Sequence, residues 1–204
     1  MIMKRLFVFI ALVCAGISLD AQNVITENFD NDGTLQWTES SIAKRPGKAF
    51  IKNGIMTVQS YESKSKGLTC YETHCYAPLD VAKPFQVDSY VTVGDLDDDN
   101  WVGLVFNYRD SGNYYAFSFN KTGVQFERYE DNCLVGDVFQ DIKWKGKFSV
   151  KCKLTLVSDG DELIFKIDDA PIINVRYMPL KYAGFGFYTW GKQTLKADKV
   201  DFIQ

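Results

Sequence analysis

Polar and apolar residues alternate one for one through most of this chain, and that period of two limits its fold more than any other feature. Beyond residue 21 no stretch of ten or more residues spaces apolar side chains as a helix would, while alternating runs end repeatedly in turn residues. WVGLVFNY runs into RDSGN, resumes as YYAFSFN, turns at KTG and continues as VQFERYE, a pattern that predicts a three-stranded antiparallel meander. FSVKCKLTLV, ELIFKI and IINVRY, separated by SDGD and DDAP, predict a second meander, and GFGFYTW with ADKVDFI a final strand pair. The fold class expected is all-β, a sandwich of two antiparallel sheets.

Side chains two apart in a strand point the same way, so the alternation also predicts faces. Leu104, Phe106, Tyr115, Phe117, Phe119, Val124, Phe126, Phe185 and Phe187 are expected inward. Trp101, Asn107, Tyr114, Ser118, Asn120, Gln125, Glu127, Gly186, Tyr188 and Trp190 are expected on the opposite face, which becomes a surface of aromatics and amides.

The N-terminus reads differently. Lys4 and Arg5 precede an apolar run from Leu6 to Ile17, and small Ala21 follows polar Ser18 and Asp20, the three regions of a cleavable signal peptide. The run is shorter than the roughly 20 residues that span a bilayer as a helix. Residues 1–21 are therefore expected to leave and residues 22–204 to form one domain, secreted, periplasmic or in the cell envelope, with no membrane segment after cleavage. Losing Lys4, Arg5 and Asp20 makes the chain one unit more negative than its full-length −3. A mildly acidic surface without a basic block argues against nucleic acid as a partner.

Export to an oxidising compartment bears on the cysteines. Cys70, Cys75, Cys133 and Cys152 remain in the mature chain and allow three disulfide connectivities. The compact CYETHC segment favours Cys70 with Cys75, which leaves Cys133 with Cys152. Buried free thiols are the competing reading, because Cys152 alternates in step with Val150, Leu154 and Leu156. His74, the one histidine, is expected in a loop, and C-x3-H-C is not a standard zinc spacing.

The order of segments resembles the concanavalin A-like lectin/glucanase superfamily, particularly its laminin G-like and 3-keto-disaccharide hydrolase-type branches. The resemblance is carried by ENFDNDGTLQW, KNGIMTV, VGLVFNYRDSGNYYAFSFNKTGVQFERYE and YAGFGFYTWGKQTLKADKVDF. It implies a jelly roll of two curved sheets whose concave face takes ligands. It also implies a calcium ion where an early loop meets the last strand, with Asp30 or Asp32 near Asp201 as ligands; a solvated turn explains the same acids. The E-x-D-x-x-E strand of the superfamily's retaining glucanases does not occur.

No catalytic residue is assigned. The expected function is carbohydrate binding, with Trp101, Tyr114, Tyr188 and Trp190 stacking on sugar rings while Asn107, Asn120, Gln125 and Glu127 bond hydroxyls. Two alternatives come from the resemblance. One is a glycoside hydrolase of the 3-keto type; the other is a laminin G-like domain that docks an envelope protein.

Overall fold

The computed structural model describes residues 22–30, 33–39, 47–61, 70–94, 96–141, 150–160, 162–176 and 180–204. The expected leader, residues 1–21, lies outside the described residues, as do Asp32 and Asp95. Fifteen strands are described: β1 Val24–Glu27, β2 Thr38–Glu39, β3 Gly47–Ile51, β4 Met56–Ser60, β5 Cys70–Tyr76, β6 Phe85–Val93, β7 Trp101–Asp110 and β8 Asn113–Phe119. The remainder are β9 Gly123–Glu130, β10 Cys133–Asp141, β11 Val150–Ser158, β12 Glu162–Ile167, β13 Ala170–Arg176, β14 Gly184–Trp190 and β15 Gln193–Ile203.

They form two antiparallel sheets. One runs β13-β12-β11-β6-β15-β4-β3 with β1 added on β15, and the other runs β10-β9-β8-β7-β14-β5-β2. Both meanders appear as β7-β8-β9 and β11-β12-β13. Three tight connections use paired left-handed residues, which match the twist of the strands that they join. These are Asn53 and Gly54, Asp131 and Asn132, and Asp168 and Asp169.

The expected pairing of the last two strands needs correction. β14 and β15 do not pair with each other: β14 lies between β7 and β5, whereas β15 lies in the other sheet between β6 and β4. The short Gly191 turn between them carries the chain across the sandwich, a corner that alternation cannot distinguish from a hairpin. β10 extends the first meander by a strand that the pattern did not reveal. Its sequence, CLVGDVFQD, is exposed almost throughout at the sheet edge, so neither side has been selected to be apolar.

The core lies between the sheets. Leu104, Phe106, Tyr115, Phe117, Phe119, Val124, Phe126, Phe185 and Phe187 all enter it, as expected. Phe117 stacks on Phe165 of the opposite sheet, with ring centroids 5.0 Å apart and planes 6° from parallel.

The disulfide expectation fails on geometry. β5 is continuous from Cys70 to Cys75, which separates the two by about 17 Å at the ordinary strand rise. A bridge needs Cα atoms within about 7 Å. Cys75, Cys133 and Cys152 are free thiols; Cys133 is exposed on β10, and Cys75 and Cys152 are buried in the core. Burial pushes the Cys152 thiol up to about 12, so it is inert apolar filling.

Candidate functional site

The seven-stranded sheet turns one face to the core and the other away from it, and the register fixes what the outer face carries. One row across the strands reads Glu72, Tyr188, Gly103, Ser118, Gln125, Phe139. The next reads His74, Gly186, Val105, Ala116, Glu127, Asp137. Trp101 and Trp190 stand opposite each other on β7 and β14, and Tyr114 stands opposite Tyr129 on β8 and β9.

Gly103, Ser118, Gly186, Val105 and Ala116 are small residues in these rows, with the Tyr188 ring beside Gly103. At Gly103 a Cβ would lie 1.9 Å from the Phe117 carbonyl oxygen, and at Gly186 it would lie 1.9 Å from that of Thr73. Neither position admits a side chain without the neighbouring strand moving.

The aromatics of this face form a second apolar cluster, separate from the core. Val105, Tyr108, Tyr114, Ala116 and Tyr188 are its buried members, with Trp101, Tyr129 and Trp190 packed against them and partly open. The Tyr114 and Tyr129 rings stack at 4.9 Å, and Phe139 meets Trp101 edge-on at 6.2 Å although β10 and β7 are three strands apart.

Polar groups are set among the rings. The Ser118 hydroxyl, Glu127 Oε2 and His74 Nδ1 are each buried without a hydrogen-bond partner, an arrangement that costs free energy unless a ligand supplies the bond. Burial raises the Glu127 carboxyl above the usual carboxylate range, and repulsion from Asp137 adds to this against the Tyr129 hydroxyl, which donates to Oε1 at 3.3 Å. His74 stacks on Tyr108 at 3.9 Å, and burial lowers its pKa. It belongs to β5, not to a loop. Glu72 is fully buried beside Tyr188, and the Tyr108 hydroxyl donates to its Oε1 at 3.4 Å.

The expected ligand residues therefore divide. Trp101, Trp190, Gln125 and Glu127 share the face and keep some exposure. Tyr114 and Tyr188 share it too but are only 5% and 2% exposed, so they pack the cluster instead of offering open rings. Asn107 sits at a β-bulge with φ of 49°, where its Oδ1 accepts the backbone N–H groups of Lys181 and Tyr182. Asn120 is buried and holds the β8–β9 turn, accepting from Thr122 and Gly123 and donating to the Asp98 carbonyl. Both amides are committed to backbone. Alternation places a side chain on a face but does not say which partner it has there.

Sequence reasoning missed Glu72, His74, Tyr108, Tyr129 and Asp137. Glu72 and His74 belong to β5, whose CYETHCY reads as a loop when its cysteines suggest a local bridge. Tyr108 changes face because the irregularity between Phe106 and Asp110, where β7 spends two more residues than β8 and Asn107 turns left-handed, breaks the alternation.

Of the acids expected to hold calcium, Asp32 lies outside the described residues. Asp201 accepts from the Thr26 hydroxyl and from the Lys199 ammonium, each at 2.7 Å, so its charge is already neutralised. Ca²⁺ takes six to eight oxygens, and among the described residues no three acidic, histidine or cysteine side chains gather. In the acidic loop that precedes β7, Asp97 accepts the N–H groups of Asp99 and Asn100.

No protein-family model matches the sequence, and neither does any curated protein. Solved structures do match. The carbohydrate-binding module CBM66 from Bacillus subtilis superposes with a TM-score of 0.58 at 16% identity, over 81% of this chain and 96% of that one. A prokaryotic β-1,3-1,4-glucanase (lichenase) from a mouse hindgut metagenome gives 0.60 at 11% identity, over 88% and 98%. The Bacillus licheniformis β-glucanase gives 0.58 at 10%, over 88% and 97%. With two antiparallel sheets in this order, the chain has the concanavalin A-like jelly-roll fold, which a carbohydrate-binding module and glucan hydrolases share with it.

Proposed function

We propose that the protein is an exported carbohydrate-binding module that takes a neutral glycan on the outer, concave face of its seven-stranded sheet. One observation carries the reading: partly open Trp101 and Trp190 stand side by side on the same face as partly open Gln125 and Glu127, whose Oε2 lacks a hydrogen-bond partner. Sugars present both apolar C–H faces and hydroxyls, and a surface that offers rings beside unpaired donors and acceptors answers both. The contact of Phe139 with Trp101 across three strands supports a sheet curled toward this side. The structural neighbours support the ligand class. A glycan array probed with the mature chain tests the reading: retention of at least one oligo- or polysaccharide is expected, and a blank array contradicts it. Export rests on the leader, and an exported form that begins near Gln22 by mass spectrometry is the expected result.

A hydrolytic reading has a specific observation in its favour. Glu127 and Asp137 are cross-strand partners on one face, which sets their Cβ atoms about 5 Å apart. Retaining glycosidases use two carboxyl groups at about 5 to 5.5 Å, the acid having a raised pKa. Glu72, four strands from Glu127, is about 19 Å away along the sheet and cannot serve in such a pair. Release of reducing sugar by the wild type but not by Glu127→Gln would favour hydrolysis; retention without turnover favours the binding module.

A further inference from the structure

At one end of the aromatic face lies a depression of about 180 Å³ whose lining includes Asn107, Arg109, Tyr114, Tyr129, Lys181 and Tyr182. We propose that it is the subsite for a single terminal sugar, so that the protein recognises the end of a neutral glycan chain. The proposal rests on the carbohydrate-binding reading and specifies how the chain is seated.

Three connections close this end of the sheet. The β7–β8 turn is held by Asp110, whose Oδ1 accepts from the Gly112 N–H at 2.9 Å and the Asn113 amide at 2.8 Å. The β9–β10 turn is tied to it, because the Asp131 N–H donates to Asn113 Oδ1 and the Asn132 N–H to the Gly112 carbonyl. The segment 180–183 forms the third side. It is fixed by Asn107, whose left-handed backbone aims its amide oxygen at the Lys181 and Tyr182 N–H groups, at 2.8 and 3.0 Å. The remaining direction leads along Tyr114 and Tyr129 to the rest of the aromatic cluster. In the proposal a chain lying on that face enters here and ends against these three connections.

Size and charge narrow the occupant. Pockets that enclose drug-sized ligands measure roughly 300–1,000 Å³, and this one suits a single ring. Tyr129 and Tyr182 offer aromatic surface. On the rim Arg109 and Lys181 oppose Glu130 and Asp131, and Arg109 is already paired with Asp110 at 2.7 Å. An anionic sugar finds no surplus positive charge there, whereas a neutral one finds donors and acceptors of both kinds.

The test is a titration of the mature protein with free monosaccharides (glucose, galactose, mannose, fructose, xylose and N-acetylglucosamine), observed through tyrosine-ring and tryptophan-indole NMR resonances. A terminal subsite binds a monosaccharide on its own. At least one is expected to shift the Tyr129 and Tyr182 rings saturably, and Tyr182→Ala to weaken it about tenfold or more. Asn107→Gly keeps the backbone conformation but releases the 181–182 wall, and it should weaken the same monosaccharide while leaving the Trp101 and Trp190 response to an array-positive oligosaccharide in place. If monosaccharides leave Tyr129 and Tyr182 unmoved while that oligosaccharide shifts the two indoles, the terminal subsite is overturned and the face-binding reading survives. If neither region responds to any sugar, both fall.

Discussion

Phe117 and Tyr114 are three residues apart on one strand and face opposite ways, so their truncations probe the two sides of the seven-stranded sheet. Phe117 is wholly enclosed between the sheets and stacks on Phe165, and Phe117→Ala should cost about 3–5 kcal/mol. Tyr114 is covered as well, but on the outer face, and Tyr114→Ala should cost less, about 0.5–3 kcal/mol. Chemical denaturation of both variants measures the difference, and equal midpoints would contradict the assignment of faces. Glu127 gives a pH signature. Its folded pKa is raised, so protonation stabilises the fold fully below the unfolded value of about 4.3, and that stability is lost as pH rises through the folded value. Glu127→Gln should therefore melt higher than the wild type at pH 7, with the gap closing toward pH 4. A constant gap across that range would show that the carboxyl is not held in its raised state. Glu27 is a structural counterpart: fully buried, it accepts the backbone N–H groups of Phe29, Thr34 and Leu35 at 2.7 to 2.8 Å.

At the scale of elements, β7, β8 and β14 determine both what the face can bind and how closely the strands pack. Gly103→Ala or Gly186→Ala would drive a methyl group into the neighbouring strand, and a loss of about 1–3 kcal/mol or more is expected in thermal or urea melts. A neutral substitution at either position would mean that the sheet can relax there. The same strands show what was legible in the sequence. Alternation alone identified β7, β8, β9, β11, β12 and β13 and assigned the core side chains correctly, because burial on one face imposes a period of two. It failed where that cause is absent. β10 is exposed on both faces, the irregularity at Asn107 breaks the alternation within β7, and the partners of Asn107 and Asn120 depend on turns that local sequence does not encode. Trp101, Trp190, Gln125 and Glu127 lie on the outer face as alternation predicts because they belong to regular strand segments; Glu72 and His74 were not placed there because β5 interleaves polar residues with cysteines.

For the molecule as a whole, two sheets around one core make a stable support, and the seven-stranded sheet adds a second apolar cluster outside that core. Apolar surface held apart from the core and interleaved with unpartnered polar atoms costs stability, which is expected where a ligand completes the set. On the reading proposed above, this face binds carbohydrate chiefly through the paired tryptophans, since loss of a large aromatic anchor costs about 2 kcal/mol or more while a hydroxyl hydrogen bond nets about 0.5–1.5 kcal/mol. Affinity electrophoresis tests it most directly, with wild type, Trp101→Ala, Trp190→Ala and Glu127→Gln run through gels containing mixed-linkage β-glucan, laminarin, levan or xylan. Retardation of the wild type in at least one gel, abolished in both tryptophan variants and only weakened in Glu127→Gln, is the predicted result. Retardation that is unchanged in both tryptophan variants, or absent from every gel with the wild type, would contradict binding through the tryptophan pair.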